Sequence, residues 1–181
     1  CSSDLQNVLP NGAMNVVTGS GSEVGNAISQ HEGVKKVGLT GSTRAGQFTM
    51  ENAAKQIKPV SLELGGKSPN IVFPDADVEK AVQGTIIASW FNVGQQCTMG
   101  SRMFLHEDIY DEFLEAFVEA TDDLQVGDPL DPRTDVGPLI DHDHLEDVRS
   151  YVDTALEEGA ELAYGGEQPA DADLDGAPFY K

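Results

Sequence analysis

Apolar residues in the first third of the chain form short continuous runs between glycine-rich turns, and in the remainder they recur at helical spacing. Asn15 to Thr18 is a short apolar run that stops at a glycine cluster, which predicts a strand. Glu23 to Gln30 can form a helix, and Val34 to Leu39 predicts the next strand. Thr40-Gly41-Ser42 then opens a second helical stretch, Thr43 to Lys55, and Pro59 to Leu64 predicts a third strand. Strand, helix, strand, helix, strand is the pattern of a parallel sheet with crossover helices.

The pattern changes after Leu64. Gly65-Gly66-Lys67-Ser68-Pro69 is a turn-rich break. Asn70 to Phe73 predicts a short strand, and Pro74-Asp75-Ala76-Asp77 caps a helix running to about Phe91, with Asp77 near its positive end. Arg102 to His106 predicts another strand. Asp108 to Ala120 carries Ile109, Phe113, Phe117 and Val118 on one helical face. Asp141 to Glu158 repeats the pattern through Leu145, Val148, Val152 and Leu156, and Gly159 stops it. Ala160 to Tyr164 reads as a final strand. Trp90, Phe91 and Phe104 are expected in the core.

Composition narrows the class. The net charge is -20, from 31 acidic and 11 basic residues. That excludes nucleic acid and anionic membrane as expected partners, because both need a basic face. Between His106 and Gly176 the only basic residues are Arg133 and Arg149. Apolar positions keep their helical spacing through this acidic stretch, so it reads as the solvated surface of a protein adapted to high salt rather than a disordered tail. No apolar run approaches the roughly 18 residues of a membrane span. The two cysteines, Cys1 and Cys97, form no disulfide framework, and a reducing cytoplasm is expected. The chain opens at Cys1 without Met and is expected to be a fragment of a longer polypeptide.

Four features can carry chemistry. Cys97 lies between Gly94-Gln95-Gln96 and Thr98, where a loop returns from a helix and small neighbours admit a substrate. A thiolate there is a nucleophile, whereas a buried thiol would be structural. Glu63 ends a strand in Leu62-Glu63-Leu64-Gly65-Gly66. It is either exposed by strand alternation or buried as a base with a raised pKa. Gly19, Gly21 and Gly25 follow a strand and open a helix, without the G-x-G-x-x-G spacing. Gly41-Ser42 likewise joins a strand to a helix, whose free N–H groups suit a pyrophosphate or simply make an ordinary turn. His142 and His144, with Asp141 and Asp143, read as a solvated helix start, and no metal is expected. His106 ends a strand without an evident partner.

In order along nearly the whole chain, Leu9 to Gly19, Leu39 to Thr43, Leu62 to Pro69 and Phe91 to Cys97 resemble motifs of NAD(P)-dependent aldehyde dehydrogenases. Ser101-Arg102, Gly127-Asp128-Pro129 and Gly137 to Ile140 continue the match. Leu39 departs from the Phe usual before Thr-Gly-Ser. The resemblance implies an α/β fold: part of a Rossmann-type parallel sheet, residues 1–64 in the coenzyme domain, followed by part of an α/β catalytic domain, residues 65–181.

The resemblance further implies that Cys97 attacks an aldehyde and that Glu63 activates the water that cleaves the resulting thioester. It places Gly19, Gly21, Gly41, Ser42, Leu64 and Gly65 against NAD, with NADP as the alternative. A small aldehyde is the implied partner, and a homodimer or homotetramer the implied assembly. Aldehyde dehydrogenases that acylate coenzyme A generally lack the Glu63 base, so its presence points to the hydrolytic branch. The competing expectation is a non-catalytic nucleotide-binding or structural relative. The resemblance also implies that an oxyanion-hole Asn and the ribose-binding residues lie outside these 181 residues. The isolated piece is therefore expected to show little or no dehydrogenase activity, and NAD-dependent turnover by it would refute this.

Overall fold

In the computed structural model, which describes residues 8–169, 174 and 176–181, the chain divides into two units, Cys1–Gly65 and Gly66–Lys181.

In the first unit a π-helical turn, Gly21–Gly25, runs directly into α1, Asn26–Gln30. There follow β1 (Val37–Gly41), α2 (Thr43–Ala54) and β2 (Val60–Leu64). The two strands pair in parallel, with Val37 opposite Val60 and Gly41 opposite Leu64. Along β2, Val60, Leu62 and Leu64 are half-buried while Ser61 and Glu63 are exposed. Alternation thus sends the leucines toward α2, where their methyl groups lie against Gly46. Val37 and Ala53 complete the buried apolar set.

The predicted strand at Asn15 to Thr18 is not formed. Among the described residues no strand pairs with this segment, and Val16 and Val17 stand exposed. An apolar run becomes a strand only where a neighbouring ladder takes up its N–H and C=O groups.

Helix α2 ends in an unusual way. Lys58 N donates to Ala53 O and Ile57 N to Ala54 O, each at 3.1 Å. This is the paired closure that normally places glycine in a left-handed conformation just past a helix. Here the left-handed residue is Ile57, with φ 55°. Its side chain is 91 % exposed, so no burial offsets the strain.

The second unit holds β3 (Pro69–Val72), α3 (Val78–Trp90), β4 (Arg102–Leu105), α4 (Tyr110–Asp122) and α5 (His142–Glu157). Strands β3 and β4 pair in parallel from Pro69↔Arg102 to Val72↔Leu105. The Asp77 side chain caps α3 by accepting from Lys80 N. The hydrogen bonds from Lys80 hold the Asp77 carboxyl below its usual range. Val72, Val82, Ile109 and Phe113 form the core, with Met103, Leu105 and Phe117 packed around them. Phe117 stacks between Trp90 and Phe113, at ring-centroid distances of 6.5 and 6.3 Å. Asp141 caps α5, and Leu145 is its buried anchor.

Three expectations need correction here. Ala160 to Tyr164 is irregular, with Leu162 exposed and no ladder partner among the described residues. Leu156, expected on the buried face of α5, is exposed. Phe91 and Phe104 are also exposed, and Trp90 partly so. Phe104 pairs with Ile71 across the two strands, and both point away from the face that Val72 and Leu105 bury. No helix of the described residues is long and apolar enough to cross a membrane.

Replacing Ile57 with glycine should raise stability by up to about 1 kcal/mol, since the left-handed penalty of roughly 1–2 kcal/mol exceeds the entropy that glycine adds to the unfolded chain. A higher urea midpoint at constant slope would show it. Phe113→Ala should cost about 3–5 kcal/mol in the same measurement, because Phe113 is fully buried.

Candidate functional site

The register of β1 and β2 gathers several sequence-selected residues at one end of the first unit. Thr40 lies opposite Glu63, and Gly41 opposite Leu64. Both strands therefore finish together, and Ser42 and Gly65 leave from the same sheet edge. That edge, at the carboxyl ends of parallel strands, is where α/β sheets bind ligands. The Ser42 hydroxyl accepts from Ala45 N at 3.1 Å and caps α2. Earlier N–H groups of that turn have no intrahelical partner, as at any helix start. Glu63 resolves its two alternatives in favour of exposure, on the face opposite Leu62 and Leu64.

Gly19 precedes the turn into the Gly21–Gly25 helix at φ 154°, and a Cβ there would collide with the Val24 side chain. A Cβ at Gly21 or Gly65 would meet nothing within 4 Å. The main chain at those two positions is open to close approach by a ligand.

The second unit carries Cys97. Helix α3 stops at Trp90 and gives way to a 3-10 turn, Phe91–Gly94. Inside it Asn92 (φ 52°) and Val93 (φ 59°) are left-handed, which reverses the chain. The Asn92 side chain supports the reversal by donating to Gln95 O at 3.3 Å. Met99 N then donates to Gln96 O at 3.3 Å, and Gly100 N to Ala88 O at 2.8 Å. These bonds bracket Cys97 in a tight turn fastened to α3. Met99 is buried beneath it, and Cys97 is exposed with a free thiol.

Gly66 was not selected from sequence, yet it borders this turn. An ideal Cβ on Gly66 would lie 2.5 Å from the Cys97 carbonyl oxygen. The available signal was the second glycine of Gly65-Gly66. The segment after it is fixed by Arg102, whose Nε donates to Lys67 O at 2.8 Å and whose backbone N donates to Ser68 O at 3.3 Å.

On the other side of the reversal lies an apolar cavity of about 650 Å³, walled by Trp90, Gly94, Phe117, Val148 and Val152. Trp90 faces this space rather than a packed core. His144 lies on its wall, and no group of three His, Cys, Asp or Glu side chains is placed to hold a metal among the described residues. His106 caps the short turn before α4, with Nδ1 accepting from Asp108 N at 3.3 Å. Cys1 lies outside the described residues.

A description of the aldehyde dehydrogenase family matches residues 5–180. The chain belongs to the aldehyde dehydrogenase family. It is 42% identical over 161 residues to a D-glyceraldehyde dehydrogenase (NADP(+)) of Picrophilus torridus, covering 89% of this chain and 32% of that protein. It is 46% identical over 161 residues to the mitochondrial 10-formyltetrahydrofolate dehydrogenase of Mus musculus, covering 88% of this chain and 17% of that protein.

Among solved structures, betaine aldehyde dehydrogenase of Staphylococcus aureus in complex with NAD+ superposes with a TM-score of 0.95 at 38% identity, over 99% of this chain and 36% of that one. An NAD+ complex of aldehyde dehydrogenase from Bacillus cereus superposes with a TM-score of 0.91 at 39% identity, over 97% of this chain and 35% of that one. The aldehyde dehydrogenase fold expected from the sequence is thus present, in part. The chain spans about a third of the length of the Picrophilus relative and of these solved structures.

Gly66→Ala should displace the Cys97 carbonyl at an overpacking cost of about 1–3 kcal/mol. The expected signature is a lowered thermal midpoint together with a changed rate of Cys97 alkylation. An unaltered rate and midpoint would mean that the two backbones are not in contact.

Proposed function

We propose that the protein containing this chain oxidises an aldehyde to a carboxylic acid with NAD(P)+, using Cys97 as nucleophile and Glu63 as general base. Family membership supports the reaction class. The single observation that carries the residue assignment is the exposed Cys97 thiol, held by main-chain hydrogen bonds in a turn whose carbonyl abuts Gly66. For Glu63 the support is its exposure at the end of β2, which leaves the carboxylate open to water.

In this reading the Cys97 thiolate adds to the aldehyde carbon and forms a thiohemiacetal. Soft sulfur suits the step, because the acyl thioester that follows is open to water. The Cys97 backbone N–H would stabilise the oxyanion as charge develops on oxygen. Glu63 takes a proton from water, the hydroxide adds to the thioester carbon, the C–S bond breaks, and the acid leaves with Cys97 restored.

The open main chain at Gly21 and Gly65, together with the helix start at Ser42, fits a dinucleotide. Gly19, Gly21, Gly41, Ser42, Leu64 and Gly65 would hold it. When bound, NAD(P)+ supplies the hydride acceptor that converts the thiohemiacetal carbon to the acyl level. NAD is the preferred reading, with NADP the alternative. The acidic surface fits a protein working at high salt, where screening relieves its self-repulsion.

In the natural full-length protein, assayed in high salt, Cys97→Ala should abolish turnover. Glu63→Gln should lower steady-state turnover roughly 10²–10⁴-fold while leaving an initial burst of reduced cofactor, because acylation precedes the step that needs the base. Loss of the burst along with turnover would remove Glu63 from the hydrolytic role. If aldehyde fails to protect Cys97 from alkylation, the nucleophile assignment fails.

A further inference from the structure

The helix that follows the Gly19–Gly21 turn is held almost without apolar packing. Across Gly21–Gly25 and Asn26–Gln30 the only buried residue is Ser29, and Ile28 is exposed. Polar bonds from α2 and from the turn after it fix the helix instead. Buried Asn52 is the hub. Its Nδ2 donates to Asn26 Oδ1 and to Ser29 Oγ, each at 3.1 Å, and its Oδ1 accepts from Gln30 Nε2 at 3.2 Å. Both N–H donors and one of the two acceptor lone pairs of that amide are thereby used on the helix.

The second set of bonds grips the end of the helix. Lys58 Nζ donates to Ser29 O at 2.9 Å and His31 O at 2.7 Å, and Gln56 Nε2 donates to Gln30 O at 2.6 Å. A cation on these carbonyls also meets the negative pole of the helix. Gln56 and Lys58 flank Ile57, so the strained left-handed residue lies between the two side chains that bond α1. The strain is retained between two clamping groups, a pattern associated with sites that must be held in place.

We propose that Asn52, Gln56 and Lys58 form a positioning clamp that sets the affinity of this protein for its dinucleotide, by fixing the helix whose leading end carries the Gly19–Gly21 turn. This rests on the cofactor reading given above. The helix and its π-helical first turn span about 15 Å at 1.5 Å per residue. A tilt of roughly 10° about the clamped end would therefore move the glycine turn by about 2.5 Å, well beyond the roughly 0.5 Å that a binding constellation tolerates. None of the three residues touches the cofactor in this proposal, and all act through the helix.

The test uses the natural full-length protein, with NAD+ and NADP+ titrated by equilibrium binding and kcat measured at saturating cofactor. Lys58→Met should raise the Kd and the KM for the preferred dinucleotide at least tenfold. The kcat should stay within threefold and the aldehyde KM should not change. Lys58→Arg, which can still reach two carbonyls, should recover most of the affinity. Asn52→Leu should weaken binding in the same way. Should it fail to fold, Gln56→Ala and Lys58→Met leave α2 intact and carry the test.

A Kd within twofold of wild type in Lys58→Met overturns the proposal. So does a fall in kcat and affinity together that tracks a lowered melting temperature, since that is a purely structural role. If the wild-type protein binds neither dinucleotide, the cofactor reading itself falls and takes the clamp's function with it. Wild-type binding with an unaffected variant defeats the clamp alone.

Discussion

At Gly66 the main chain runs so close to the Cys97 carbonyl that a single methyl group would not fit between them. Much of the second unit is organised around that approach. Arg102 draws the Lys67–Ser68 segment against the start of β4, and β4 pairs with β3 in a register that begins at Pro69 and Arg102. Because Gly100 is bonded to Ala88 of α3, the turn bearing Cys97 is held between a helix end and a strand start. The sulfur's position is therefore a product of backbone geometry on three sides.

The two units reach order by different means. The second is built on apolar contact, with Phe113 fully buried and an aromatic stack running from Trp90 to Phe113. The first has a thin apolar set around Val37 and Ala53 and adds a polar network centred on Asn52. Polar networks of this kind are directional: when fully satisfied they specify one arrangement, and when partly satisfied they are costly.

Much of the architecture was legible in the sequence, because period and punctuation agreed. The cap at Asp77 and the 3.6 period from Asp108 onward placed α3, α4 and α5 within a residue or two. Short apolar runs and flanking turns placed the paired strands β2 to β4, whereas β1 forms at Val37–Gly41 rather than Val34 to Leu39 and takes in Thr40 and Gly41, which read as a turn. What failed was whatever depended on a partner rather than on local pattern. Asn15 to Thr18 and Ala160 to Tyr164 look like strands but find no ladder among the described residues, and Phe104 looks like core but lies on the exposed face of its sheet.

Of the candidate site, Cys97 in its loop, Ser42 at its cap and Glu63 at its strand end stand where the pattern put them. Gly66 and Asn52 escaped notice for a physical reason. A glycine beside another glycine reads as a turn, and an asparagine on a helix reads as surface; only the tertiary approach of another segment gives either one a task.

The turn around Cys97 is stapled by main-chain bonds from Met99 to Gln96 and from Gly100 to Ala88, none of which uses a side chain. The identities of Gln96 and Thr98 are therefore decoupled from the placement of the sulfur between them. Single substitutions at those two positions can therefore change the surroundings of the thiol while the main chain that carries it stays put.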